Sequence, residues 1–160
     1  MNREQFAGLV LDSTDSLYRV ARGILRQDMD CEDAVQEAIA QAFAHLHALR
    51  RDEYAKTWLT RILIHECYKI LRSRKRTIAY EELKTQEACE DRTYTELYQA
   101  LEGLDVKYRL TIVLHYIEGF SVAEIAELMQ TTEGTVKSRL HRGRNSLRRM
   151  LEQEEELSWN

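Results

Sequence analysis

The chain of 160 residues contains no proline and only six glycines. These two residue types most often interrupt helices and mark turns, so their scarcity predicts a chain that is helical nearly throughout. Hydrophobic residues make up 44% of the sequence and charged residues 31%, which is typical of a globular protein. The length suits one medium-sized domain or two small ones.

Long apolar runs are absent as well. No segment approaches the roughly 20 consecutive apolar residues that a membrane-spanning helix needs, and the first residues, MNREQF, lack the apolar core of a secretory signal peptide. The three cysteines, Cys31, Cys67 and Cys89, form no C-x-x-C pair, so the sequence predicts neither a disulfide framework nor a zinc finger. We therefore expect a cytoplasmic protein whose Cys31 and Cys67 are buried and inert.

Motifs of the common enzyme classes are also missing. The chain has no G-x-G-x-x-G fingerprint, no Walker A loop and no G-x-S-x-G elbow. His65-Glu66 begins like a zinc-protease motif, but residue 69 is a lysine where the second histidine would stand. We expect no catalytic residue, no metal, no cofactor and no small-molecule substrate.

Charge is distributed unevenly along the chain, whose formal net charge is −4. One basic cluster lies at 69–76, and a second lies within 134–151, a stretch that contains no acidic residue. A single cluster would fit a solvated helix face, but two of them, each ending an amphipathic segment, indicate a polyanionic partner. The negative net charge predicts weak binding to DNA unless another protein holds the chain there.

Apolar residues recur at helical spacing and predict an all-α chain of two small helical domains. The first domain is expected at 1–78 and the second at 94–160. Residues 79–93 between them are acidic and poor in apolar side chains, which predicts a mobile linker. At the far end of the chain we expect residues 152–156 to leave the second domain as an acidic tail.

Within the first domain the pattern predicts three helical segments. The first is a helix or helix pair that is broken or weakened around Asp12–Asp15. Asp30 is placed to cap the second helix through its side chain. The third helix contains Trp58 and ends in the first basic cluster.

The second domain contains a helix-turn-helix pattern at 121–149. A capping box at Ser121–Glu124 begins a short helix that extends to Met129. A turn at 130–132 follows, and Thr132 is placed to cap a longer helix. Cap, turn length and a basic outer face occur together, which favours a DNA-binding motif over an ordinary helical hairpin.

The longer helix of this motif has two distinct sides. Apolar or small residues predict its inner face: Val136, Leu140, Gly143, Leu147 and Leu151. Side chains that can reach bases or phosphates lie on or near its outward side: Thr135, Lys137, Ser138, Arg139, His141 and Arg142. The N-terminal half of such a helix is the part that enters the major groove, while the later Arg144, Arg148 and Arg149 suit contacts to the DNA backbone.

Both halves of the chain resemble one protein family. The segment LHYIEGFSVAEIAEL at 114–128, followed by GTVKSRLHR at 134–142, closely resembles region 4 of bacterial sigma factors of the extracytoplasmic-function group. The segments DCEDAVQE at 30–37 and TWLTRI at 57–62 resemble region 2 of the same group. The resemblance covers nearly the whole chain, with both motifs in the family's order.

The resemblance implies a dissociable specificity subunit of RNA polymerase that recognises the −10 and −35 promoter elements and helps to open the promoter. In this family an exposed helix face binds the clamp helices of the β′ subunit, and the β subunit is a further contact. The matching positions here are Asp33, Gln36 and Glu37. Family members are commonly held inactive by an anti-sigma factor, often membrane-bound, that covers polymerase-binding surfaces.

Region 2 of the family also captures the unpaired −10 strand, and Lys56, Trp58 and Arg61 are the candidates here. A tryptophan at helical spacing fits a core position as well, so we expect phosphate contacts from Lys56 and Arg61 and packing from Trp58. One departure concerns the helix-turn-helix turn, which usually starts with glycine in the family but has Gln130-Thr131 here. A non-glycine residue is therefore expected in the left-handed region.

Two other classes of function remain open. A stand-alone dimeric helix-turn-helix regulator would need a self-complementary interface and would bind a palindromic duplex unaided. The sequence offers no leucine-rich dimerisation helix outside its two predicted cores. A helical adaptor without DNA binding would keep its activity after reversal of the charges at 137, 139 and 142.

Overall fold

The computed structural model describes residues 1–78 and 95–159, and within these residues it contains helices and no strand. The chain divides into two compact units, Met1–Cys89 and Glu90–Asn160. The predicted linker at 79–93 lies outside the described residues, as does Cys89. No helix in the described part of the chain has both the length and the apolar character needed to cross a membrane.

Unit 1 is a bundle of three helices, in which each helix packs against the other two. These are α1 (Arg3–Ile24), α2 (Asp28–Ala44) and α3 (Ala55–Ile78). Two short 3-10 turns, Leu46–Ala48 and Asp52–Tyr54, connect α2 to α3. Its core is formed by fully buried apolar side chains, among them Phe6, Leu17, Val20, Ile24, Val35, Ala38, Leu59 and Leu63. Cys31 and Cys67 are buried as predicted, and burial raises the pKa of the Cys67 thiol.

Helix α1 is continuous, so the predicted interruption near Asp12–Asp15 is wrong. Ser13 is buried within the helix, and Thr14 Oγ1 donates a hydrogen bond to the carbonyl of Val10 at 2.9 Å. A hydroxyl that bonds to the preceding turn needs no break in the helix, which is why the polar residues there misled the prediction. The helix begins in a capping box between Asn2 and Gln5.

Asp30 does not cap α2, contrary to the prediction. The N-cap position belongs to Gln27, which makes no side-chain capping bond, and Asp30 lies one turn further in and is buried. Its carboxylate accepts two hydrogen bonds from Arg74 of α3, from Nε at 2.9 Å and from Nη2 at 2.7 Å. A buried carboxylate requires such a partner. Arg74, a member of the first basic cluster, therefore links α3 to α2.

Unit 2 is built around its last helix. Its elements are α4 (Thr95–Glu102), α5 (Val106–Ile112), a π-helical turn (Val113–Ile117), α6 (Val122–Leu128) and α7 (Glu133–Trp159). Helix α7 packs against α4, α5 and α6. The buried apolar residues of this unit include Leu101, Leu104, Leu110, Ile112, Leu114, Ile125, Val136 and Leu140.

The end of α7 differs from the sequence prediction at one residue. Residues 152–156, the predicted acidic tail, continue the helix, which extends to Trp159. Leu151 was predicted on the inner face but is 38% exposed, since the described helices of unit 2 do not cover that turn of α7. The other predicted inner-face residues are buried or half-buried: Val136, Leu140, Gly143 and Leu147.

Gly143 allows a close approach between α7 and α5. A Cβ atom at this position would lie 3.0 Å from Ile112 Cγ1 and 3.1 Å from Ile112 Cδ1, which is too close for carbon atoms in ordinary contact. Ile112 is itself buried in a cluster with Leu101, Leu104 and Val113, so it has little room to move. The absence of a side chain at Gly143 is therefore a packing requirement.

We expect Gly143→Ala to lower the free energy of unfolding of unit 2 by about 1 kcal/mol, because overpacking outweighs the better helix propensity of alanine. The control is Gly8→Ala in α1, where a Cβ would meet no atom within 4 Å. That substitution should stabilise unit 1 by about 0.5–1 kcal/mol. Denaturant unfolding of the two variants measures both effects, and a stabilised Gly143→Ala protein would show that Ile112 yields.

Candidate nucleic-acid and polymerase interfaces

The start of α6 has the predicted capping box. The Ser121 side chain accepts a hydrogen bond from the backbone N–H of Glu124 at 3.1 Å, and Glu124 Oε1 accepts one from the N–H of Ser121 at 3.1 Å. Just before it, Gly119 has a φ of +76° and reverses the chain after the π-helical turn. These local bonds fix where the first helix of the motif begins.

The turn between α6 and α7 also has the predicted backbone conformation. Gln130 has a φ of +52°, so a non-glycine residue occupies the left-handed region as expected. The N–H of Thr131 donates to the carbonyl of Ala126 at 2.9 Å, which satisfies an acceptor at the end of α6. Between the two helices, Ile125, Val136 and Leu140 are buried, as predicted for their shared core.

Helix α7 begins with a side-chain cap from Thr132, which confirms that prediction. Thr132 Oγ1 accepts a hydrogen bond from the N–H of Thr135 at 3.2 Å. The two threonine hydroxyls also lie 2.9 Å apart, within hydrogen-bonding distance. Thr135, a predicted DNA contact, is half-buried, and its hydroxyl is thus engaged in the start of the helix.

The remaining predicted DNA contacts on α7 reach solvent. Lys137, Ser138, His141 and Arg142 are exposed, and Arg139 is half-buried. The structure thus brings these five side chains together on the first half of α7. No acidic residue occurs between Glu133 and Glu152, so this part of α7 carries an uninterrupted excess of positive charge.

Several polar side chains of α7 are held by uncharged groups that the sequence reasoning missed. Arg144 Nη1 donates to the hydroxyl of Tyr116 at 2.7 Å. A hydrogen bond from Arg142 lowers the pKa of Tyr108, and Asn145 Nδ2 lies 3.2 Å from His141 Nε2. Tyr116 is 28 residues from Arg144, so no helical spacing within the motif could have indicated this pair.

The predicted polymerase-binding residues share one exposed face of α2. Asp33, Gln36 and Glu37 follow at the i, i+3 and i+4 spacing that places side chains on the same side of a helix, and all three are exposed. Glu37 Oε1 accepts a hydrogen bond at 3.1 Å from Gln41, whose amide also donates to the buried Glu66 at 2.8 Å. The carboxylate of Glu37 is thus oriented by a bridge to α3. Met29, one turn before Asp33, is 74% exposed.

The three predicted −10 contacts lie at the start of α3. Lys56 and Arg61 are exposed, whereas Trp58 is half-buried. The Trp58 ring packs edge-on against Phe6 of α1, with 6.0 Å between the ring centroids. Trp58 therefore contributes to the core of unit 1, as the sequence analysis expected.

Two profiles of known protein families match this chain. The family profile described as Sigma-70 region 2 matches residues 9–77, and the one described as Sigma-70, region 4 matches residues 94–147. Together these two matches span well over half of the chain. The chain belongs to the sigma-70 family. The resemblance identified from the sequence motifs is confirmed for both halves of this sigma factor.

Individual relatives agree with this placement. The chain is 29% identical over 153 residues to the RNA polymerase sigma factor SigV of Bacillus subtilis, covering 91% of this chain and 90% of SigV. It is 33% identical over 139 residues to the ECF RNA polymerase sigma factor SigM of Mycobacterium tuberculosis, covering 84% and 71%. Here ECF stands for the extracytoplasmic-function group, to which this sigma factor belongs.

A solved structure shows the same fold. The sigma factor RpoE from Bartonella quintana, crystallised in complex with the anti-sigma factor NepR, aligns with a TM-score of 0.84 at 27% identity. The alignment covers 93% of this chain and 98% of the RpoE chain. The all-α fold predicted from the sequence is thereby confirmed.

Relief of the strain at Gln130 gives a test of the turn geometry. We expect Gln130→Gly to stabilise unit 2 by about 0.5 kcal/mol, because the cost of a Cβ in the left-handed region exceeds the entropy that glycine adds to the unfolded chain. The neighbouring Thr131, whose φ is not positive, provides the control. Thr131→Gly should destabilise the unit by about 0.5–1 kcal/mol in the same thermal unfolding measurement. If both variants lose stability, the left-handed conformation of Gln130 is refuted.

Proposed function

We propose that this sigma factor, which binds core RNA polymerase and directs promoter-specific transcription initiation, uses three surfaces for separate tasks. The observation that carries the proposal is the pairing of a helix-turn-helix, whose second helix has no acidic residue over 134–151, with an exposed acidic helix face in unit 1. The first surface suits duplex DNA, whose phosphates attract lysine and arginine. The second suits a basic protein surface.

The N-terminal half of α7 reads the −35 element. Its residues Lys137, Ser138, Arg139, His141 and Arg142 lie on the part of the helix that enters the major groove in helix-turn-helix proteins. Arginine, lysine and histidine there can donate to base edges or phosphates, and Ser138 can do either. Thr135 acts mainly in the start of the helix, because its N–H bonds to Thr132 at 3.2 Å.

The face of α2 formed by Asp33, Gln36 and Glu37 binds core polymerase. Two carboxylates and an amide on adjacent turns can accept several hydrogen bonds from arginines on one partner helix. Family resemblance directs this face to the clamp helices of the β′ subunit. The exposed Met29 beside it supplies the apolar contact that a protein interface usually contains.

The start of α3 contacts the −10 element. Lys56 and Arg61 are exposed there and can neutralise phosphates of the captured single strand. Trp58, packed on Phe6, holds this part of α3 against α1 rather than stacking on a base. Lys56 and Arg61 thus lie on a part of α3 that is packed against α1.

Other features of the proposal follow from the family. The protein acts where RNA polymerase works, in the cytoplasm, and has no catalytic residue, cofactor or metal of its own. An anti-sigma factor that covers polymerase-binding surfaces is the expected inhibitor, as the complex of RpoE with NepR illustrates for that relative. The proposed domain boundaries are 1–78 for region 2, 79–93 for a linker and 94–160 for region 4.

The decisive experiment is run-off transcription on a genomic-fragment library with core RNA polymerase, with and without this protein. Specific starts that require both components are expected, and alignment of the upstream DNA should yield two promoter elements. Tight binding of the protein alone to a symmetric duplex, with no starts, would instead identify a stand-alone regulator. Activity that survives charge reversal on α7 would point to an adaptor.

Reversal of three charges on α7 tests the −35 assignment. We expect the triple variant Lys137→Glu, Arg139→Glu and Arg142→Glu to lower promoter-specific run-off by about 100-fold or more, since each lost base or phosphate contact costs about 1–3 kcal/mol. Association with core polymerase, measured by gel filtration, should be unchanged. Normal run-off by this variant would remove α7 from the DNA interface.

Reversal on α2 tests the polymerase assignment. The double variant Asp33→Arg and Glu37→Arg should weaken binding to core polymerase by about 100-fold, because arginines on the partner would meet like charge. The matched control reverses Asp12 and Asp15, two exposed carboxylates of α1, and should bind core normally. Thermal unfolding verifies that both variants fold. Equal weakening by the two pairs would indicate a general charge effect and contradict the assignment.

A further inference from the structure

The polar side chains on the DNA-facing part of α7 have an unusual set of intramolecular partners. Arg144 donates a hydrogen bond to Tyr116, and His141 lies beside Asn145. Each partner is an uncharged side chain. A carboxylate would hold an arginine as well, but it would also cancel the positive charge that attracts phosphate.

The Tyr116–Arg144 pair has the clearest geometry. The phenol of Tyr116 accepts a hydrogen bond from Arg144 Nη1 at 2.7 Å while the tyrosine remains 51% exposed. The pair is therefore at the surface, where a guanidinium can still reach a ligand. A guanidinium has five N–H donors, so one bond to the phenol leaves four for other acceptors.

The tyrosine is itself held in place by the backbone around it. It belongs to the π-helical turn Val113–Ile117, a form of helix often found at functional sites. Its ring packs edge-on against His115, with 4.9 Å between the centroids. His115 Nδ1 in turn lies 3.0 Å from the carbonyl of Phe120, directly before the capping box of α6. The hydroxyl that Arg144 meets is thus fixed relative to the helix-turn-helix.

We propose that Tyr116 is a positioning residue, which holds the guanidinium of Arg144 ready for contact with the promoter backbone. The proposal rests on the function proposed above for α7. An arginine loses much rotamer freedom when it binds DNA, and a side chain that is already oriented loses less. The phenol of Tyr116 therefore increases affinity without adding any contact to DNA.

The test compares variants of the full chain bound to core polymerase, with a promoter duplex recovered by run-off selection as the probe. Tyr116→Phe removes one hydroxyl and should weaken binding by about threefold to tenfold, the effect of releasing one rotamer-rich side chain. Because no charge is lost, the slope of log K against log salt should stay the same. Arg144→Ala should lower the magnitude of that slope by about 1.

Two further variants separate positioning from a structural role. In an Arg144→Ala background, Tyr116→Phe should have no additional effect, because the group it positions is gone. Tyr18→Phe in α1 of unit 1 removes a tyrosine hydroxyl far along the chain from this motif and should leave promoter affinity unchanged.

The contrary outcomes are distinct. Equal or tighter binding by Tyr116→Phe would show that the phenol competes with phosphate, and this would overturn the proposal. A loss of affinity that Tyr116→Phe still causes in the Arg144→Ala background would also overturn the proposal. If Arg144→Ala alone changes neither the affinity nor the salt slope, Arg144 lies outside the DNA interface and the positioning proposal fails. The proposed contact of α7 with the −35 element is tested separately by the triple charge-reversal variant.

Discussion

The close approach of α7 to α5 at Gly143 is the constraint on which unit 2 depends. One long helix supplies the apolar side of the core and also carries the exposed basic residues. The missing side chain at Gly143 lets Ile112 pack directly against the α7 backbone. The same crossing brings Tyr108 next to α7, where a Cβ at Gly143 would lie 3.7 Å from its Cβ atom. The packing of both Ile112 and Tyr108 against α7 thus depends on a single residue.

Unit 1 meets a different constraint, because it buries charged groups between its helices. Asp30 is compensated by Arg74, and Glu66 by Gln41 together with Lys69, whose Nζ lies 3.5 Å from Glu66 Oε2. The Asp30–Arg74 and Glu66–Gln41 pairs join α2 to α3, whereas Lys69 and Glu66 both belong to α3. A buried carboxylate that loses its partner costs far more than an exposed ion pair contributes, so the pairs specify how the two helices meet. The face of α2 that carries Glu37 is oriented as a result.

The sequence predicted best those features that are determined within a few residues. The capping box at Ser121, the cap at Thr132 and the left-handed Gln130 each depend on hydrogen bonds or sterics inside one turn. The burial of Ile125, Val136 and Leu140 follows from helical periodicity alone. For these elements, the local pattern and the final packing favour the same structure.

What could not be predicted depends on partners that are distant along the chain. Asp30 was interpreted as a cap because Arg74, its actual partner, is 44 residues away. The break expected near Asp12–Asp15 ignored hydroxyls that bond back within a helix. Tyr116, which accepts the hydrogen bond from Arg144, belongs to an earlier element and gave no periodic signal. Family resemblance supplied the candidate positions on α2 and α3, since exposed Asp33 or Lys56 alone would fit any solvated helix.

The continuity of α7 gives the helix an electrostatic polarity. Its 27 residues form a rod about 40 Å long, with basic residues in its first two thirds and acidic ones near its end. In the field of a DNA duplex one part of this rod is attracted and the other is repelled, which produces a torque. A uniformly basic helix could lie along DNA in either direction. The charge pattern of α7 instead favours the orientation in which its first half lies nearer to the DNA.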